Sequence, residues 1–183
     1  MKLFRFFTLT GALFVDHSFF DSMDRTQLQS YLEFLLRNYR QVDAFWFIYT
    51  AEKYGQTDAE QLNEQVWSKM GGLSAREIIS RFDIREKGLK GFLKALGYFP
   101  WSMLIGYVLE EKNNEITLTV PHCPAQEARK QRGLGEYVCK QMHYNEFNNF
   151  AKTVDSSIQV ECIYAPPDSH PEVTWCKWRF YCK

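Results

Sequence analysis

Apolar side chains recur every three or four residues between Asp24 and Tyr54. This spacing places them on one face of a helix. The positions are Leu28, Tyr31, Leu32, Leu35, Tyr39, Val42, Trp46 and Tyr49. The pattern predicts one long helix that ends at Gly55. Because residues 44–49 are apolar all round, we expect that part to be enclosed on several sides or to line a cavity.

Two capping-box patterns follow this helix. Thr57 stands three residues before Glu60, and Ser74 stands three residues before Glu77. In a capping box the hydroxyl and the carboxylate accept hydrogen bonds from the free backbone N–H groups of a helix start. The second pattern comes after Gly71-Gly72. We therefore expect two further helices, or one helix that is interrupted at the glycines.

The C-terminal half of the chain contains short β-like runs. The predicted strands are residues 103–109, 116–120, 158–164 and 174–181. Residues 112–114 join the first two strands as a hairpin, and a helical period returns over residues 127–152. The order is helices, hairpin, helix and two strands. It predicts an α+β fold in which the N-terminal helices pack on a small antiparallel sheet.

The length of 183 residues favours one domain. We assign residues 1–22 to an N-terminal apolar extension and residues 23–183 to a single α+β domain. Lys2 and Arg5 precede an apolar run that resembles a signal peptide, but no small-x-small cleavage site follows. The run is also shorter than the roughly twenty residues that span a bilayer. We favour a buried terminal element or a start-site artefact over a leader.

Charge and cysteine content narrow the function classes. The 22 basic and 22 acidic residues cancel, so no global field favours nucleic acid or a membrane surface. The five cysteines are an odd number, and a chain of this size needs no covalent staples. Reduced thiols in a cytoplasmic protein fit better than disulfides. A homodimer is compatible with the sequence.

Aromatic residues make up 16% of the chain, and an aromatic interior can leave flat-walled spaces for small ligands. Asp43 lies within the apolar stripe of the first helix, where a carboxylate is costly unless it is paired. A functional role and a structural pair with an arginine such as Arg40 are equally compatible with this position. We predict a ligand pocket lined by Asp43, Trp46, His122 and Cys123.

The cysteines suggest a metal site. Strand alternation directs Cys162 and Cys176 to the apolar face of the sheet, and Cys139 and His143 stand one turn apart on the predicted helix. Three thiolates and one imidazole form a closed tetrahedral set for one zinc ion. Buried cysteines that act as small hydrophobes are the equally weighted alternative. Cys123 could replace His143 as a ligand or act as a reactive thiol, and Cys182 receives no role.

A family resemblance supports the metal site. Residues 122–129, 132–140, 160–162 and 176–180 look like an uncharacterised prokaryotic family. That family is related to the L-2-amino-thiazoline-4-carboxylic acid hydrolase-like proteins and, distantly, to the 4-vinyl-reductase-type ligand-binding domain. The distant resemblance implies a zinc ion beside a pocket for a small molecule, with thiol ligands at Cys139, Cys162 and Cys176. The family's carboxylate ligand is replaced by Gln159, so His143 or Cys123 is the expected fourth ligand.

The sequence therefore predicts a cytoplasmic zinc-binding domain with an aromatic-lined pocket for a small organic molecule, acting as a sensor or accessory protein. The alternative is a small hydrolase that acts on a cyclic amide or thiazoline-like substrate. Its reactive centre would be the metal or Cys123, because a zinc ion with an open coordination position acidifies bound water. A zinc closed by four protein ligands would be structural.

Overall fold

Helices precede a four-stranded antiparallel sheet in the computed structural model, which describes residues 17–183. The helices are α1 (Ser18–Asp21), α2 (Arg25–Tyr54), α3 (Gln56–Arg81), α4 (Gly88–Gly97), α5 (Pro100–Ile105), α6 (Pro124–Gln131) and α7 (Lys140–Val154). The strands are β1 (Val108–Lys112), β2 (Glu115–Val120), β3 (Ile158–Tyr164) and β4 (Cys176–Cys182). The predicted α+β class is confirmed. Most of the predicted N-terminal extension lies outside the described residues.

Helix α2 has the bounds that its apolar period predicts. Asp24 caps it, since the Asp24 carboxylate accepts a hydrogen bond from the Gln27 backbone N–H at 2.8 Å. The Gln27 side chain accepts one in return from the Asp24 N–H at 3.0 Å. These two bonds form a complete capping box and fix the start of the helix. Gly55, with a φ of 94°, ends it.

Helix α3 runs through Gly71-Gly72 without a break, so the expected interruption is wrong. Gly55 caps the helix without a side-chain hydrogen bond, and Ser74 lies in its interior. The glycines serve packing instead of termination. A Cβ atom at Gly71 would lie 2.3 Å from the backbone oxygen of Glu146 on α7, which is closer than any real contact. Only glycine at this position lets the two backbones approach so closely.

Two other expectations fail in the middle of the chain. The predicted helix 127–152 is two helices, α6 and α7, separated by a loop with left-handed glycines at Gly133 and Gly135. Cys139 is consequently the N-cap residue of α7 and not a residue of its interior. Of the predicted strand 103–109, residues 103–105 form the end of helix α5, Gly106 caps that helix, and β1 begins only at Val108.

The sheet has the strand order β1-β2-β4-β3, and every pair of neighbours is antiparallel. Cys162 lies opposite Trp178, and Cys176 stands two residues before Trp178 on the same face. Trp178 is fully buried, so this is the core face, as strand alternation predicts. Cys176 is buried and Cys162 is half-buried. Helices α4 and α7 contribute Phe92, Phe147 and Phe150 to the same core.

Helix α2 carries an exposed apolar stripe along its outer side. We call it the α2 seam: Leu28, Leu32, Leu35, Tyr39, Val42, Trp46 and Tyr49. Tyr39 is the exception, since it is half-buried and packs inward against Trp67 and Trp101. The other six side chains are 37–73% exposed, and Trp46 is the most exposed. The expectation that residues 44–49 are enclosed therefore holds on one side of the helix only. No helix among the described residues is long and apolar enough to cross a bilayer.

The contact between α3 and α7 gives a stability test with an internal control. We expect Gly71→Ala to lower the free energy of unfolding by about 1–3 kcal/mol, because the new methyl group forces the two helices apart. Gly72→Ala adds the same methyl group where the nearest atom, Thr153 Oγ1, is 3.5 Å away. This change should be neutral or stabilising by up to about 1 kcal/mol. Urea unfolding measures both, and equal effects of the two variants would contradict the packing account.

Candidate functional site

A cavity of about 710 Å³ opens beside α2. Its walls come from α2, α3, α5, α6 and α7 and from the adjoining ends of β2 and β4. Most of the lining is apolar or aromatic. The aromatic residues are Phe45, Phe47, Trp67, Trp101, Tyr107, Tyr137, Phe147 and Trp175. The volume lies within the range of about 300–1,000 Å³ that is usual for small-molecule sites.

Packed rings fix one wall of this cavity. The Trp67 and Trp101 rings meet edge to face at 5.3 Å between centroids, and Tyr39 packs against both at 6.2 and 5.7 Å. On the other side, Phe47 meets Tyr137 at 5.0 Å. Edge-to-face pairs of this kind hold each ring in place. The cavity therefore has rigid aromatic walls before any ligand enters.

Three carboxylates of α2 and α7 line the cavity. Asp43 of α2 and Glu146 of α7 lie near the imidazole of His143, whereas Glu52 is nine residues, or about 13 Å, further along α2. Asp43 accepts a hydrogen bond from Trp67 Nε1 at 3.2 Å, so the partner of Asp43 is an indole and not an arginine. Glu146, only 2% exposed, is 2.8 Å from His143 through its Oε2 atom and the His143 Nδ1 atom. We call Asp43, His143 and Glu146 the acidic end of the cavity.

Burial shapes the electrostatics of the acidic end. It raises the pKa of Asp43 to about 6, and the nearby Glu146 charge adds to this rise, while the Trp67 hydrogen bond and His143 oppose it. Burial also raises the pKa of Tyr39 to about 12, with further contributions from Asp43 and Glu146. Because the folded pKa of Asp43 exceeds its unfolded value, ionising Asp43 costs stability as pH rises from about 4 through about 6. A positively charged partner would therefore stabilise the anionic form of Asp43.

The structure gathers four of the five cysteines at one end of the sheet. Cys123 and Cys139 are the N-cap residues of α6 and α7, Cys162 is near the end of β3, and Cys176 begins β4. Burial raises the pKa of Cys139 to about 12 and of Cys162 to about 11. It also raises that of Cys176, and the other three thiols add to the Cys176 shift. We call these four residues the thiol cluster.

His143 pairs with Glu146 and Phe147 on its own helix. Its Nδ1 atom faces Glu146, and its ring stacks on Phe147 at 5.8 Å between centroids. The i, i+3 spacing of His143 and Glu146 was readable from the sequence. Within residues 17–183, no three His, Cys, Asp or Glu side chains are arranged to hold a metal ion.

Cys123 lines the cavity but is not activated. Burial is the largest effect on its thiol and raises its pKa, while backbone N–H groups of Ala125 and Gln126 offset part of the rise. A nucleophilic cysteine needs the opposite shift. Neighbouring His122 has a side chain that is 81% exposed and lies 3.4 Å from Glu127, so it does not line the cavity.

Trp46 also lies outside the cavity, in contrast to the sequence prediction. It belongs to the α2 seam, whereas the cavity side of α2 carries Asp43, Ala44, Phe47 and Ile48. The sequence placed Asp43 and Trp46 on one stripe, since they are three residues apart. The neighbouring helices cover only one flank of that stripe. Which flank is covered depends on tertiary packing.

Gln126 is a cavity residue that sequence reasoning missed. It is 1% exposed and donates from Nε2 to the Tyr137 carbonyl oxygen at 2.8 Å and to Cys139 Sγ at 3.4 Å. Its Oε1 accepts from the Tyr137 backbone N–H at 2.8 Å. These bonds hold the loop before α7 against α6 and set the position of Cys139. A polar residue in a short polar helix gives no sequence signal of such burial.

Comparison with known proteins identifies the family of this chain and shows similarity to solved structures. A family model described as "Family of unknown function (DUF6125)" matches residues 21–182. A solved structure, the trafficking protein particle complex subunit 3 from Naegleria fowleri covalently bound to palmitic acid, is similar with a TM-score of 0.50. The two chains are 16% identical, and the match covers 82% of this chain and 96% of that one. The likeness concerns the fold alone. No curated protein matches significantly.

Proposed function

The chain belongs to the DUF6125 family, and from its cavity we propose that it is a binding protein for a small organic molecule. The observation that carries this proposal is the aromatic-lined cavity of about 710 Å³ between α2 and α7. Its walls are mostly apolar, and three of its polar groups, Asp43, His143 and Glu146, lie together at the acidic end. This combination of apolar walls and a few placed polar groups is typical of ligand sites.

The ligand is expected to have an apolar body. The fold relative is described as covalently bound to palmitic acid, so the shared fold can hold a hydrocarbon chain in at least that protein. In this chain the rings of Trp67, Trp101 and Phe47 offer the apolar contact surface. We propose a sensor or accessory role, in which the ligand is retained and not converted.

The hydrolase alternative has weaker support. It requires an activated nucleophile or an open metal, and the pKa of Cys123 is raised instead of lowered. Among the described residues, no hydrogen bond links the Cys123 thiol to a histidine or a carboxylate that could serve as its base. Binding without turnover is therefore the function that the geometry supports best.

We also propose that the thiol cluster binds one zinc ion in a structural role. The four thiols lie at one end of the sheet but are not arranged around a common metal position among the described residues, so zinc binding requires their side chains to turn towards one ion. Thiolates are preferred zinc ligands, and four of them close the coordination sphere. Their proximity in low-dielectric surroundings is the support: each thiolate would be unfavourable beside the others without a cation. Cys123 is preferred to His143 as the fourth ligand, because His143 faces Glu146. The five cysteines are free thiols, in keeping with a cytoplasmic location.

We further propose that two copies of the chain pair through the α2 seam. Its spacing alternates between four and three residues over Leu28–Tyr49, the heptad period of helices that pack side by side. The flanking positions carry no lysine or arginine, so two copies meet without repulsion between basic groups. The exposed seam offers roughly 700 Å² per copy, taking about 200 Å² for each large side chain. A stable interface uses about 800 Å² per partner.

Ligand binding is tested by filling the cavity. We expect isothermal titration calorimetry to show that 1-octanol binds the wild-type protein with one site per chain. Ala51→Trp places an indole inside the cavity and should weaken this binding roughly tenfold or more. Lys53→Trp puts the same ring on α2 outside the cavity and should leave binding unchanged. Absence of wild-type binding to octanol and to its charged analogues would contradict the proposal.

Zinc binding is tested by metal analysis of protein purified without a chelator. We expect one zinc per chain in the wild-type protein and its loss in Cys139→Ser, because a hydroxyl is a poor substitute for a thiolate. Cys182→Ser is the matched control, since Cys182 lies on β4 outside the thiol cluster and packs near Gly88. A wild-type protein without zinc would refute the metal site.

Pairing through the α2 seam is tested by light scattering after size-exclusion chromatography. The wild-type protein should have the mass of a dimer, and Trp46→Glu should have the mass of a monomer, because a buried unpaired carboxylate disfavours the interface. Ser30→Glu adds the same charge on the opposite side of α2 and should remain dimeric. If the wild-type protein is monomeric, another segment covers the seam and this proposal fails.

A further inference from the structure

The acidic end of the cavity carries more negative charge than its surroundings neutralise. Asp43 and Glu146 both line the cavity, and His143 is the only basic partner that either of them contacts among the described residues. A protonated His143 can balance one carboxylate. The second carboxylate has only the neutral Trp67 N–H as its partner. A buried charge in this position is costly without a counterion.

Glu146 is directed into the cavity with free hydrogen-bonding capacity. Its side chain is nine-tenths buried or more, and it belongs to the cavity wall. Oε2 faces His143, and Oε1 makes no hydrogen bond among the described residues. Trp178 Nε1 is the one fully buried side-chain nitrogen or oxygen there without a partner, so Oε1 keeps some accessible surface. A carboxylate oxygen with little access to bulk water is normally hydrogen-bonded, and the partner of Oε1 is therefore expected to come from the cavity itself.

The arginines of the cavity do not supply this partner. Arg129 donates to the backbone oxygens of Leu134 and Gly135 and to Gln56, so its guanidinium is used elsewhere. Arg40 and Arg132 line the cavity too, but neither forms an ion pair with a residue of the acidic end. None of the three arginines therefore neutralises the acidic end by a direct contact.

Aromatic rings surround the acidic end. Trp67 donates to Asp43, and the ring of Trp101 meets that of Trp67 at 5.3 Å between centroids. Ring faces attract cations, and carboxylates beside them strengthen the preference. A negatively charged head group would instead meet Asp43 and Glu146 with like charge. The lining thus discriminates between ligands by the sign of their charge.

Granted that the cavity binds a small organic molecule, we infer that this ligand carries an ammonium group that lies between Asp43 and Glu146, with its apolar body along the aromatic wall. The ammonium donates to the free oxygen of Glu146 and to Asp43, and it neutralises the excess charge. The ligand class is therefore an organic amine with an apolar chain or ring.

Three probes with eight carbon atoms each test this inference. They are octylammonium, 1-octanol and octanoate, titrated calorimetrically at neutral pH. We expect octylammonium to bind roughly tenfold more tightly than octanol, because a hydrogen bond to a charged group is stronger than one between neutral groups. Octanoate should bind more weakly than octanol. Equal or tighter binding of octanoate would overturn the inference.

Two variants locate the head group. Asp43→Asn keeps an oxygen that can accept from Trp67 Nε1 and removes the charge, so it should weaken octylammonium binding roughly tenfold and leave octanol binding unchanged. Glu33→Gln is the control, because it removes a carboxylate of α2 that is exposed and does not line the cavity. It should bind all three probes as the wild-type protein does. Unchanged octylammonium binding by Asp43→Asn would overturn the inference.

The outcomes separate this inference from the proposed function. If no probe binds, the cavity is not a ligand site and both fail. If octanol binds but octylammonium has no advantage, the binding function stands and the amine assignment fails. Octanol binding also shows that Asp43→Asn is folded, so a loss restricted to octylammonium reports on the carboxylate.

Discussion

The close approach of α3 and α7 at Gly71 is the contact on which the candidate site depends. The Gly71 backbone lies so near the Glu146 carbonyl that no larger residue fits between them. Trp67 is one turn before Gly71 on α3, and the Glu146 side chain leaves α7 at the point of contact. The same contact therefore sets the positions of the indole that binds Asp43 and of the carboxylate that faces His143. Helix α2 closes the cavity over this pair.

Polar groups in the cavity are costly for folding, and a ligand of complementary charge would offset that cost. Asp43 has its pKa raised to about 6 chiefly by burial, so the protein maintains a carboxylate where its charge is disfavoured. An apolar residue at this position would fill the space at lower cost. The buried thiols of the thiol cluster also have a cost when they are ionised. Its four raised pKa values describe thiols that gain from a bound cation.

The elements that are regular over many residues were predictable from the sequence. The apolar period gave α2, and alternation correctly placed Cys162 and Cys176 on the core face of the sheet. The prediction at Gly71-Gly72 was wrong. A glycine pair can end a helix or allow close packing, and the local sequence does not show whether a second helix packs there. The sequence also did not show which side of α2 faces the cavity, and Trp46 was therefore assigned to the wrong flank. The burial of Gln126 and the separation of α6 from α7 also depend on tertiary contacts.

A small amine at the acidic end of the cavity is the occupant that we propose. A crystal structure of the protein soaked or grown with octylammonium tests it most directly. The account predicts the nitrogen atom within hydrogen-bond distance, about 2.7–3.2 Å, of an oxygen of Asp43 or Glu146, with the chain against Trp67 and Trp101. A chain that lies outside the cavity, or a nitrogen atom that contacts neither carboxylate, would contradict the account.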